Sequence, residues 1–182
     1  MDNHNNPLKS IIVISAIGPE DPNIFGEITH SFTKCGCEIL ESKFSVMGNK
    51  FLLMTMLSGT WDAIAKIETA LARLGDNLGI KFSAERTSNI SNYDKSIPYV
   101  MEVVTVRNPD LVHNTVKFFE LQKVVIKELQ CSGFLANQTN TQMISLQVTI
   151  SVPYSLSIAS FRSDFVDFCD RLNIDAVLEP LK

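Results

Sequence analysis

Ile11-Ile12-Val13-Ile14 is apolar at every position, and Phe51 to Leu57 is nearly so. A strand apolar on both faces belongs in the middle of a sheet whose two sides are both covered. The first run predicts a strand over Ser10 to Ile17, ended by Gly18-Pro19-Glu20-Asp21-Pro22. After this break Ile24, Ile28 and Phe32 fall four apart, with Phe25 beside them, and predict a helix from about Asn23 to Lys34. Asp21 or Asn23 is placed to cap it, Pro22 suits a first turn, and Gly36 suits its end. A second strand follows from Cys37 to Val46, with Leu40, Phe44 and Val46 on one face. Met47 to Lys50 reads as a turn. The third strand sets Phe51, Leu53 and Leu57 on one face and Leu52, Met54 and Met56 on the other. Thr60 is the expected cap of a second helix, with Ile64, Ile67, Leu71 and Leu74 along its stripe and Gly75 at its end. A fourth strand covers Ile80 to Arg86.

The same order then repeats. A strand is expected from Pro98 to Val106, a helix from Asp110 to Leu121, and a strand from Val124 to Cys131. A Gly/Asn/Thr-rich loop is read from Gly133 to Thr141. Met143 to Val152 alternates Ile144, Leu146, Val148, Ile150 and Val152 against Ser145, Gln147, Thr149 and Ser151. A helix from Ser157 to Leu172 carries Phe161, Phe165, Phe168 and Leu172, and a strand from Ile174 to Leu178 closes the chain's pattern. Pro22 and Pro109 lie 87 residues apart, and the same offset pairs Phe32 with Phe119, Ile39 with Ile126 and Glu41 with Glu128. Two copies at so long a period mean two domains rather than a solenoid. The expected architecture is α+β, two ferredoxin-like βαββαβ units, each an antiparallel four-stranded sheet with helices on one face. The boundaries read as 1–8 a disordered leader, 9–87 the first domain, 88–97 a polar linker and 98–182 the second.

Composition narrows the function. The 182 residues carry a net charge of −4, and Lys43, Lys50, Lys66 and Arg73 are scattered rather than clustered. Nucleic-acid binders draw most of their affinity from phosphate contacts, so direct nucleic-acid binding is not expected. No apolar run is long enough to span a bilayer, and the polar start Met1 to Pro7 lacks the apolar core of a secretory signal. Cys35, Cys37, Cys131 and Cys169 lack the paired spacings of a zinc site and read as reduced thiols of a cytoplasmic protein. No metal or cofactor is expected. His30 and His113 read as solvated helix positions and Trp61 as a packing residue. No nucleophile elbow, phosphate loop or dinucleotide fingerprint occurs, so the chain reads as a non-enzyme. The apolar outer face of the first sheet, with Leu52, Met54 and Met56, needs cover from the second half or from a second chain, and a homodimer is expected to provide it.

The double βαββαβ order, the Glu20-Asp21-Pro22-Asn23-Ile24 loop and the Cys35-Gly36-Cys37-Glu38-Ile39 join resemble ACT domains. Cys-Gly-Cys-Glu-Ile followed by Phe51 to Trp61 resembles the bacterial glycine cleavage system transcriptional repressor family. The resemblance is strong over residues 10–87 and mainly architectural over 98–179. It implies a regulator that binds a DNA-binding transcriptional activator of the glycine cleavage operon and restrains it until glycine relieves the restraint. A stand-alone amino-acid sensor acting on a metabolic enzyme is the alternative. By the same resemblance a small amino acid binds near the first loop. Asp21, Pro22, Asn23, Ile24 and Glu41 are the candidate ligand residues, with the amides near Asn23 and Ile24 meeting the carboxylate. Asp110 stands at the equivalent point of the second loop and would repel that carboxylate, which favours the first loop.

Overall fold

In the computed structural model, residues 9–87 and 96–181 are described. The leader 1–8 and most of the expected linker therefore lie outside the described residues. The chain divides into two compact units at Ser91/Asn92.

The first unit runs β1 (Ser10–Pro19), α1 (Ile24–Lys34), β2 (Glu38–Met47), β3 (Lys50–Gly59), α2 (Trp61–Leu78) and β4 (Lys81–Thr87). Its sheet has the order β2-β3-β1-β4, all antiparallel. The two doubly apolar strands occupy the centre, as their composition requires. Ile12, Ile14, Phe51, Leu53 and Leu57 turn one face of the sheet to α1 and α2, and Ile28, Phe32, Ile64 and Ile67 meet them. The second unit repeats this as β5 (Ser96–Val106), α3 (Leu111–Leu121), β6 (Val125–Leu135), β7 (Gln142–Pro153), α4 (Ile158–Leu172) and β8 (Ala176–Pro180). Its order is β6-β7-β5-β8, and Ile150, Val148 and Leu146 meet Phe119, Phe161 and Phe165.

Several expectations change. The second helix does not stop at Gly75. It continues to Leu78, and Gly79 takes the left-handed cap at φ 65°. Gly75 is there for closeness: a Cβ at that position would sit 2.8 Å from the Ile80 carbonyl oxygen. The strand expected to end at Cys131 runs on to Leu135, because Gly133, Phe134 and Leu135 pair with Ile144, Met143 and Gln142. A tight turn closed by Ala136 and Thr141, with Asn140 at φ 56°, replaces the long loop. β5 begins at Ser96, two residues before the expected Pro98.

Leu40 does not share a face with Phe44 and Val46. The register of β2 shifts between Ile39 and Glu41, and the bulge reverses the alternation. Thr55, buried on the helix side, donates a hydrogen bond to the Glu41 carbonyl at 3.1 Å and fixes the kink. β6 carries the same shift between Ile126 and Glu128, again 87 residues on. The repeat read in the sequence is thus a repeat of backbone irregularity as well as of apolar positions.

Gly75→Ala is expected to destabilise the first unit by roughly 1–3 kcal/mol, since backbone must move to admit the methyl group. A thermal unfolding midpoint several degrees lower checks this, and an unchanged midpoint contradicts the close contact.

Candidate functional site

The break Glu20 to Asn23 follows β1 because Pro19 and Pro22 interrupt the ladder. The Glu20 N–H donates to the Asn49 carbonyl at 3.1 Å, which ties the loop to the β2–β3 hairpin. Asp21 Oδ1 accepts from the Asn23 N–H at 2.8 Å, and the Asp21 carbonyl accepts from Ile24 at 3.3 Å. Asp21 therefore shapes the turn from within, as an Asx turn, and neither Asp21 nor Asn23 caps the helix with its side chain. Asn23 sits at φ −91°, so the turn asks for no left-handed residue there. The second unit repeats the device with the residue types exchanged. Asn108 Oδ1 accepts from the Asp110 N–H at 3.0 Å, and Leu111 donates to the Asn108 carbonyl.

The amides of Asn23 and Ile24 are already engaged by Asp21. The N–H groups of Phe25 and Gly26 have no acceptor among the described residues, as the first turn of a helix requires. Gly26 is exposed, and a Cβ on it would touch nothing within 4 Å. Asp21, Pro22 and Asn23 are exposed, whereas the Ile24 side chain is buried in the core.

Glu41 does not join the loop. It pairs with Met56, which pairs with Val13, six residues along β1 from Pro19. At about 3.3 Å per residue that is roughly 20 Å from the loop end of the sheet. Glu41 lies instead on the open face, in the row that contains Met56 and Val13. Met54 stands beside Ser15 and Lys43, and Leu52 beside Ile17 and Ser45. Leu52, Met54 and Ile17 are 37%, 58% and 42% exposed, so this apolar surface is carried by β1 and β3. The second sheet's open face mixes Val104 and Val106 with Ser145, Gln147 and Thr149.

An aromatic row at the loop escaped the sequence reading. The Phe25 ring lies 4.8 Å from Phe44, and Phe44 stacks on Phe51 at 5.7 Å. Phe51 is almost wholly buried over Gly18, where a Cβ would come within 2.6 Å of its ring. The row pins the helix turn that carries the two unengaged amides to the sheet. Phe25 at i+1 of the apolar stripe was its only sequence signal. Trp61, expected to pack, is 67% exposed and contacts Arg86, whose guanidinium lies 5.9 Å from the ring centre. Arg86 also makes a two-pronged bond to Glu68, which holds that carboxylate below its usual range.

All four cysteines are free. Burial, and then the neighbouring Cys35, push the Cys37 thiol up. Among the described residues no cluster of His, Cys, Asp and Glu could hold a metal ion, and no helix is long and apolar enough to cross a membrane.

Residues 10–85 match the ACT domain family. The chain is 28% identical over 162 residues to the glycine cleavage system transcriptional repressor of Escherichia coli K12, covering 89% of this chain and 85% of that protein. The Shigella flexneri protein of the same name matches equally. Two crystal structures share the fold along 96% of this chain and 99% of theirs. One, provisionally assigned as a glycine cleavage system transcriptional repressor, has a TM-score of 0.70 at 23% identity. The other, an unknown protein from Galdieria sulphuraria, has a TM-score of 0.77 at 15% identity.

Phe44→Ala should cost about 1–2 kcal/mol, because Phe44 is partly exposed and loses two ring contacts. Amide hydrogen exchange should quicken over the first turn of α1 and not over α2. Uniform change across both helices would deny the row its local role. In a thiol-labelling series at neutral pH, Cys37 should react last of the Cys35/Cys37 pair, since its thiolate is the disfavoured form.

Proposed function

We propose that the chain is a tandem ACT-domain regulator akin to the glycine cleavage system transcriptional repressors, and that it restrains expression of that operon by binding a DNA-binding activator. The observation that carries this reading is the similarity to the Escherichia coli repressor, which extends through both units rather than the first alone. The chain's own chemistry agrees with a partner that reads DNA on its behalf. Its net charge is −4, and both described units are spent on the βαββαβ fold.

Glycine is the proposed effector, at the first loop. Its carboxylate meets the Phe25 and Gly26 amides, where the helix N-terminus favours negative charge. The free carboxylate oxygen of Asp21 serves the ammonium. Glu41, far along the sheet, belongs to the open face with Leu52, Met54 and Met56, and that face is proposed as the surface of a homodimer. Glycine has five heavy atoms. At a ceiling of about 1.5 kcal/mol per atom it binds with at most roughly 7 kcal/mol, so micromolar or weaker.

Capture of partners from the native cell, with and without glycine, tests the whole reading. A helix-turn-helix activator should be recovered and glycine should lower its yield. Recovery of a biosynthetic enzyme instead would favour the alternative, a sensor acting on metabolism. Purified protein alone should not shift the operon's control region in a gel at physiological salt. Asp21→Ala should weaken glycine binding in calorimetry while the unfolding midpoint falls little, because one exposed hydrogen bond is lost. Met54→Glu should convert a dimer to monomer in sedimentation, and a wild-type monomer would remove the dimer.

A further inference from the structure

The corresponding ends of the two sheets differ in how they are filled. In the first unit Phe25, Phe44, Val46 and Phe51 occupy the helix side of the sheet beside the first loop. The residues at the same places in the second unit are Val112, Cys131, Gly133 and Ile144. The 87-residue offset gives the first three, and the strand pairing Gly133 with Ile144 gives the fourth, as Val46 pairs with Phe51. Every one of these is smaller than its counterpart. Where three rings stand in the first unit, the second has a cleft of about 620 Å³, lined by Arg107, Cys131, Gly133, Leu135, Gln142 and Ile144 among others. That volume lies in the range of small-molecule sites.

The lining has one charged side chain, and it is a cation. Arg107 donates from Nη1 to the Gln142 side-chain oxygen at 3.2 Å, and its backbone N–H donates to the Gln142 carbonyl at 2.9 Å. The guanidinium is thus held at the rim with further N–H groups unspent. No carboxylate lines the cleft. Its apolar lining comes from Leu135, Ile144, Met143 and Phe134, with the Cys131 thiol among them. The geometry points to a second ligand site in this unit, for a small carboxylate with a branched apolar body and no ammonium group. The carboxylate takes the Arg107 guanidinium, and the body fills the space vacated by the rings. This site is separate from the glycine site proposed at the first loop, and either can fail without the other.

Cys131 reports on the cleft directly, since it is part of the lining and is exposed. The full-length protein is alkylated with iodoacetamide in the presence of 4-methyl-2-oxopentanoate, glycine or leucine, and the rate at each cysteine is followed by peptide mass spectrometry. The keto acid should slow Cys131 in proportion to occupancy and leave Cys35 unchanged. Glycine, with no apolar body, should give no protection, and leucine should protect more weakly because its ammonium finds no acid. Arg107 is exposed, so Arg107→Gln leaves the fold in place, with circular dichroism as the check. It should weaken protection roughly ten- to a hundredfold, the loss of one charge-assisted contact, and Arg107→Lys should restore part of it. Cys131→Phe rebuilds the first unit's filling and removes the reporter thiol, so binding is followed by an NMR titration of both proteins, in which the keto acid should shift wild-type resonances and leave those of the variant unmoved. No protection at millimolar keto acid, or equal protection in Arg107→Gln, would overturn the site. Leucine protecting as well as the keto acid would overturn the ligand class.

Discussion

Each half of this chain depends on a single layer of side chains pressed between one face of a four-stranded sheet and two helices. Two helices of this length cover one face only, so the inner strands must supply the core from alternate residues. Ile12 and Ile14 on β1, and Phe51, Leu53 and Leu57 on β3, do this in the first unit, and all are almost fully buried. The fully buried aliphatic side chains in such a layer each contribute about 1.5–3 kcal/mol of transfer free energy. The polar loops and exposed ion pairs contribute far less.

The layer ends at the loop side of the sheet, and what happens there separates the two units. Gly18 leaves room for the Phe51 ring, Phe44 stacks on that ring, and Phe25 carries the contact to the helix turn. The first loop therefore presents two amides from a helix end that is held in place. The second loop has the same Asx turn but not the rings, and its sheet end opens into the cleft beside Arg107. One backbone plan thus supports two chemically distinct surfaces. The open faces diverge in a similar way, apolar in the first sheet and mixed in the second.

Much of this was legible in the chain's periodicity. The 87-residue offset through the first three elements of each half marks two units, and the doubly apolar runs mark the central strands. The helical stripes Ile24/Ile28/Phe32 and Ile64/Ile67/Leu71 are all buried as read. Burial of one face imposes a period on the sequence, and a period survives being read in one dimension. Thr60 as an N-cap was equally legible, because capping is a contact over three residues.

Tertiary structure decided whatever depends on residues distant in sequence. Gly75 reads as a helix end, and only the return of Ile80 against it shows why glycine sits inside the helix. β6 extends through Gly133 because β7 offers it partners, which overrides a turn-rich local composition. The bulge at Leu40 cannot be read from alternation, since it is where alternation fails. Asp21 and Glu41 look alike as candidate acids on neighbouring elements, yet antiparallel pairing carries Glu41 toward the opposite end of the sheet. The amides left without an acceptor among the described residues are those of Phe25 and Gly26, because Asp21 folds back on the two before them. Local sequence specifies periodic burial and short-range hydrogen bonds. Which side chains meet at a site is set by strand register and chain return, and these are summed over the whole unit.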